Sequence, residues 1–353
     1  MRSRTAISAI SASLAALVLA LGALLLAACG GDDSGTAVNA DTDPQEVLDA
    51  ALGGGGDPIK SGVLDLEFNL DSKSSDLGSI SASLKGPFSS NGDGDLPDVD
   101  FDVTAGADVG GPTLSFQGGI VLTEDGLWIN YDDQAYQLDD QAFAQVKDSY
   151  AKSSQLQDDE EDSSSFSQFG VDPQTWLTDV SNEGTVDIDG TETVHVTGKG
   201  DIAKIVSDLD SVAQKSGQGT QLDPAQLKQL KDSVGNSVVD VYANTDDGTL
   251  RELDVTLDVA NGGGNGDSTV KLSIGIADPN SDQEIDEPAD AQPLSDLLGQ
   301  FPGAADSLGG LAPSSGTGTG TGTGGGGDSS AYYQCVQQAP TPEAVGECAK
   351  YLK

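Results

Sequence analysis

Chemistry on side chains needs thiols, imidazoles or paired acids at short spacing, and this chain supplies few of the first two: three Cys and one His among 353 residues. The thiols stand at 29, 335 and 348, too far apart for a zinc site of clustered Cys and His. His195 lies between Val194 and Val196 on an alternating apolar and polar run. A general base also needs a nucleophile and an orienting group, and no such partner is visible around it. A structural or surface His is expected, and no catalytic residue is assigned. Asn91-Gly92-Asp93-Gly94-Asp95 opens like a calcium loop, but counted from Asn91 the sixth position is Leu96 and the twelfth Asp102, where Gly and Glu belong. It reads as a hairpin loop. The acidic run at 158–162 reads as solvated surface. No metal and no cofactor are expected, and the chain is not read as an enzyme.

Cys29 is the thiol with a context. Two Arg in the first four residues precede an uncharged, Ala- and Leu-rich stretch that ends Leu26-Ala27-Ala28-Cys29-Gly30. A basic start, an apolar run and small residues before Cys make a secretion signal with a lipobox. A transmembrane anchor of similar length leaves that Cys unexplained. The segment resembles bacterial lipoprotein signals, and the resemblance implies cleavage before Cys29 and diacylglycerol on its sulfur. The mature N-terminus is then held at the outer face of the cytoplasmic membrane. Residues 1–28 are read as signal peptide and 29–42 as a lipidated tether.

Charge supports that picture. Sixteen Lys and Arg against 58 Asp and Glu leave a net charge of −42, which excludes nucleic acid as a partner because phosphate neutralisation needs clustered cations. Anionic headgroups repel such a body, so lipid must do the anchoring. With 36% hydrophobic residues, 5% aromatic and 46 Gly, one acidic globular domain with flexible ends is expected.

The elements follow from periodicity. Asp43-Pro44 caps a helix over residues 45–52. Period-two alternation then appears at Leu64, Leu66, Phe68 and Leu70, at Ile80, Ala82 and Leu84, at Val99, Phe101, Val103 and Ala105, and at Leu114, Phe116, Gly118 and Ile120. Each is a strand with one dry and one wet face, and the Gly-, Asn- and Asp-rich turns between them make an antiparallel meander. Further strands are predicted over 127–131 and 135–138, then a helix over 141–151. A second group starts with a short helix capped by Asp172 and carrying Trp176 and Leu177. The hairpin of 185–188 and 193–196 follows, then helical spacing at Ile202, Ile205, Val206, Leu209 and Val212 and a helix from Asp223-Pro224. Strands over 239–243, 253–259 and 270–276 complete the domain. Helices fall in groups between strand groups, which favours an antiparallel α+β sheet over a parallel one. Residues 43–300 form this domain. Residues 301–330 are a Gly/Ser/Thr linker. In 331–353 two short helices meet at Ala339-Pro340-Thr341-Pro342 and bring Cys335 and Cys348 together as a disulfide-bridged hairpin.

Several of these stretches together resemble the LppX/LprG-type lipoproteins of the Lol lipoprotein-carrier (LolA/LolB-like) superfamily. They are the lipobox at Cys29, Ser83-Leu84-Lys85-Gly86-Pro87-Phe88, Asp172-Pro173-Gln174-Thr175-Trp176-Leu177, and Glu183-Gly184 leading to the run from Asp189-Gly190 to Thr197-Gly198. The pair Val241-Tyr242 and Arg251-Glu252-Leu253-Asp254-Val255 completes the set. The resemblance spans about residues 43–298. It implies a curved antiparallel half-barrel with helices packed on its concave side and an apolar cavity for acyl chains. The tail after Pro302 is extra to the family, and the inward positions Ala82, Ala105 and Gly118 are unusually small. Cavity candidates are Leu66, Phe68, Ile80, Leu84, Val99, Phe101, Val103, Leu114, Phe116, Ile120, Trp176, Ile205 and Leu209. The expected role is binding or transfer of a lipid or another hydrophobic ligand. The residues alone do not separate this from a closed core, which is the preferred reading without the resemblance, and then the domain is an envelope module displaying its Cys-bridged tail.

Overall fold

The Asp43 carboxylate accepts from the Gln45 amide at 2.9 Å, and Pro44 takes the first turn, so α1 (Pro44–Leu52) begins where the sequence predicts. The computed structural model describes residues 36–53, 59–72, 78–92, 95–108, 113–155, 173–205, 207–208, 234–259 and 268–299. Cys29, the acidic run at 158–162, Leu209, the helix predicted from Asp223, the linker at 301–330 and the Cys335–Cys348 hairpin lie outside the described residues.

The strands are β1 (Ser61–Ser72), β2 (Ser79–Ser89), β3 (Asp98–Asp108), β4 (Leu114–Leu122), β5 (Leu127–Tyr131) and β6 (Gln134–Gln137). Helix α2 (Asp140–Gln155) follows, then a 3₁₀ turn at Pro173–Trp176. The second group is β7 (Leu177–Ile188), β8 (Thr191–Gly200), β9 (Val234–Asn244), β10 (Leu250–Val259) and β11 (Ser268–Ala277), ending in β12 (Gln292–Pro293) and α3 (Leu294–Leu298). The architecture is α+β: one 12-stranded sheet in the order β12-β6-β5-β4-β3-β2-β1-β11-β10-β9-β8-β7. Among the described residues every pairing is antiparallel except β12 on β6. Two meanders are thus joined by β11 returning to pair with β1, Leu66 opposite Ile274.

The turns obey local chemistry. Asp132 and Asp133 both take positive φ, as do Asp189 and Gly190, which is what a two-residue hairpin needs to match strand twist. Of the stretch read as a hairpin loop, the described residues Asn91, Gly92 and Asp95 lie between β2 and β3, and the Asn91 side-chain amide donates to the Leu96 carbonyl at 3.0 Å.

Two features differ from the sequence prediction, and one predicted element is present. Leu177 begins β7 instead of riding on a helix with Trp176. The strand is masked in the sequence because its register slips between Thr178 and Ser181 and again between Asn182 and Gly184, with Asp179 at φ 54°, and these irregularities break the period-two pattern. The helical turn after β8 is present at residues 202–205. Finally, residues 278–293 run along one end of the sheet from β1 to β6. Ser61 Oγ donates to the Ser281 carbonyl at 2.6 Å, Thr123 Oγ1 donates to Glu287 at 3.2 Å, and Gln134 donates to the Asp290 carbonyl at 3.3 Å. This strap has no hydrophobic period to announce it.

Candidate functional site

Cross-strand register assembles the alternating apolar residues into rows across one face, called inner here. One row reads Tyr131, Gly118, Val103, Leu84, Leu66, Ile274, Leu253, Val241, Val196 from β5 to β8. The next row along the strands reads Phe116, Ala105, Ala82, Phe68, Leu272, Val255, Val239. Beyond it come Leu114, Ala107, Ile80, Leu70, Val270 and Leu257.

Two apolar clusters fill part of this face. The larger joins Val47, Leu48 and Leu52 of α1, Trp176, Leu177 and Ile205 to Leu64, Leu66, Leu84, Phe101 and the valines of β8 to β10. The smaller joins Ala142 and Phe143 of α2 and Leu294 and Leu297 of α3 to Tyr136 and Leu138. Leu122 packs against both.

The sequence-predicted candidates divide accordingly. Leu66, Leu84, Val99, Phe101, Val103, Trp176 and Ile205 are buried members of the larger cluster. Ile80 is buried outside both clusters. Phe68 and Ile120 are half-buried at its margin. Leu114 is placed on β4, and Leu209 lies outside the described residues. Phe116 is 44% exposed. Its ring lies over Gly118, where a β-carbon would stand 2.9 Å from Cζ, and it stacks on Tyr131 at 5.9 Å between centroids. Sequence reasoning left out the neighbours that share this open stretch: Leu70, Ala107, Leu257, Val270 and Leu272 are all half-buried on the same face. Their alternation was visible, and continuing the rows past the first three positions of each strand finds them.

What closes one part of the face is visible in side-chain pairing. Trp176 Nε1 donates to the Asp208 carboxylate at 2.8 Å in a buried pair, and Ser237 donates to the Gly200 carbonyl at 2.7 Å. Polar groups there are satisfied inside the core. The open rows carry no ionisable side chain, and the Tyr131 phenol of the neighbouring row stands beside them through its stacking on Phe116, so this stretch offers contact area and shape.

Titratable groups gather on the outer face instead. His195 lies 2.9 Å from Asp240 and stacks on Tyr242 at 4.6 Å between centroids. Burial, reinforced by Asp240, Asp254 and Glu252, pushes the Tyr242 phenol up to about 12. Burial and then the Asp254 charge raise the Glu252 carboxyl, and burial and then Asp102 raise Asp100. The Asp65 hydrogen bond, at 2.5 Å, raises the Lys85 ammonium. His195 therefore sits in an acidic cluster on the outer face. Among the described residues no group of three or more His, Cys, Asp or Glu is arranged to hold a metal, and no helix is long and apolar enough to cross a membrane.

No family model matches the chain and no curated protein matches it. Solved structures do. LprF from Mycobacterium bovis is similar over 70% of this chain and 97% of its own, at 12% identity and a TM-score of 0.37. The Mycobacterium tuberculosis lipoprotein LppX is similar over 65% of this chain and 90% of its own, at 13% identity and a TM-score of 0.30. A DUF1329 family protein from Desulfovibrio piger covers 68% of this chain at 10% identity and a TM-score of 0.20. At this distance no residue role is carried over from any of them.

Proposed function

We propose that this chain is a non-enzymatic, membrane-anchored extracytoplasmic lipoprotein that holds a lipid or another hydrophobic ligand. The sheet bends as a half-barrel, and the ligand lies against the open part of its inner face, in the rows that run through Phe116, Phe68 and Leu272. The single observation that carries the reading is the contrast along that face. The same strands hold sealed residues such as Leu66 and Leu84 at one level, while at the next Phe68, Ala105 and Leu272 are partly buried beside buried Ala82, Val239 and Val255, and the row ends at exposed Phe116. A partly exposed apolar stretch on one face is a surface that a hydrophobic ligand can cover. In this reading Cys29 carries the lipid anchor and the tether that follows leaves the domain free above the outer leaflet, since two acyl chains hold a membrane stably where one does not.

Two experiments test it. The chain from Gly30 onward, exported behind a general secretory leader and purified without detergent, is expected to carry lipid in native mass spectrometry and to take up the uncharged dye Nile red. A lipid-free protein that ignores the dye contradicts the binding role. Cys29→Ala in the natural precursor is expected to shift the protein out of the membrane fraction, and unchanged retention contradicts the anchor.

A further inference from the structure

The chain between the proposed anchor and the domain is shorter than its sequence suggests. Residues 29–42 read as tether, yet from Thr36 onward they are held on the sheet. Val38 is 3% exposed within the larger apolar cluster, and its amide donates to the Thr245 carbonyl at 3.1 Å. The Asn182 side-chain amide donates to the Asn39 and Thr42 carbonyls at 3.2 and 2.8 Å, and the Asn39 backbone amide donates to Thr42 Oγ1 at 2.9 Å. Gly248, at φ 72°, lets this arm come close: a β-carbon there would stand 2.6 Å from the Thr36 carbonyl oxygen. Residues 30–35 alone are left between Cys29 and the docked arm. The seven links from Cys29 to Thr36 span at most about 24 Å when fully extended.

Where the arm stops fixes which end of the sheet lies near the anchor. Thr36 and Val38 meet the turn between β9 and β10, and by register the same end holds the β7–β8 turn, the start of β1 and the end of β11. The open rows lie toward the other end. Phe116, Phe68 and Leu272 are level with Val239, six residues along β9 from Thr245, and Leu70, Val270 and Leu257 are level with Ser237, eight residues along it. At about 3.3 Å per residue these levels are roughly 20 and 26 Å from the turn. We infer that the anchored domain stands with its β7–β8 and β9–β10 turns toward the membrane that holds Cys29, and with its open apolar rows on the side away from that membrane. This rests on the proposed anchor and ligand role, and adds which surface meets the bilayer and which way the site faces. To lay the open rows on the bilayer, the tether would have to run back along the strands at nearly its full length. The acidic body opposes such a pose, because anionic headgroups repel it.

Energy transfer from single sites to the membrane surface reads the orientation. The full lipidated chain, with Cys335→Ser and Cys348→Ser, takes a donor dye either at Asp246→Cys, in the β9–β10 turn, or at Ser79→Cys, at the opposite end of the sheet on β2; both positions are exposed. Each protein is reconstituted into vesicles of phosphatidylglycerol and phosphatidylethanolamine that carry an acceptor dye on the headgroup. Transfer is expected to be severalfold stronger from position 246 than from position 79. Inserting about twenty Gly and Ser residues after Ser34 adds up to about 65 Å of reach and is expected to remove most of that difference. Equal transfer from the two positions, stronger transfer from 79, or a difference that the insertion leaves unchanged overturns the orientation while the anchor stands. Transfer from neither position overturns the anchor, and the orientation with it. Nile red uptake by the same two variants before labelling reads the ligand role separately.

Discussion

The row through Leu66, Leu84 and Val103 and the row through Phe68, Ala82 and Ala105 are two residues apart on the same three strands, yet water reaches them differently. The first meets the cluster of α1, Trp176 and Ile205 and is sealed. The second is half-open at Phe68 and Ala105 and ends at an exposed Phe116. Both rows are apolar and both alternate, so composition does not separate them. Alternation decides which face is dry, and the helices that cover the face decide how far along the strands dryness extends. The smaller cluster teaches the same lesson from the other edge: α2 and α3 cover β5 and β6, and Gly118 leaves the notch over which Phe116 folds.

The largest effects are expected in the sealed part of the face. Phe101→Ala removes a ring that is 4% exposed and is expected to cost about 3–5 kcal/mol in denaturant unfolding, by lost transfer energy and a residual cavity. A loss below about 1 kcal/mol would mean that this part of the face is not closed. Trp176→Phe leaves the buried Asp208 carboxylate without its indole donor, and about 1–3 kcal/mol of destabilisation is expected. In the open row the balance reverses. Phe116→Ala is expected to cost at most about 1 kcal/mol of stability, because the ring is already half in water, yet to weaken retention of an uncharged acyl ligand severalfold.

The smallest effect belongs to the outer face and sharpens the contrast between polar and apolar sides. Glu252 faces Asp254, Asp240, Tyr242, Ser273 and the His195 ring across β8 to β11. Its folded carboxyl titrates above the ordinary glutamate value of 4.5. A carboxyl raised by folding favours the folded state below 4.5, and that contribution is lost as pH rises through the raised value. Glu252→Gln is therefore expected to raise Tm slightly at pH 7, with the gain vanishing at pH 3. A variant that melts lower at pH 7 would contradict the account of this cluster.

Much of the fold was legible because its strands alternate cleanly. Leu64, Leu66, Phe68 and Leu70 announced β1, and Asp189-Gly190 announced the hairpin of β7 and β8. The part of β7 near Asp179 was hidden by register slips, which no period reports. The return of β11 to β1 was hidden because pairing partners more than two hundred residues apart leave no local mark, and the strap at 278–293 because its hold on the sheet is made of single hydrogen bonds. For the site, sequence picked the face but not the level. Phe101 and Phe116 read alike as inward aromatic residues, and only the position of α1, Trp176 and Ile205 distinguishes a core residue from an open one. The contacts of His195 with Asp240 and Tyr242 were not legible, because they depend on β8 lying beside β9.

The central claim is that ligand touches the open row and not the sealed one, and tryptophan quenching reads that difference directly. The chain has two Trp, at 128 and 176, both buried, so the parent protein supplies the background. In Phe116→Trp, a monoolein analogue brominated on its acyl chain is expected to quench the new indole in a saturable way, with little change in the parent. Equal quenching in parent and variant, or none in either at saturating ligand, would contradict the account.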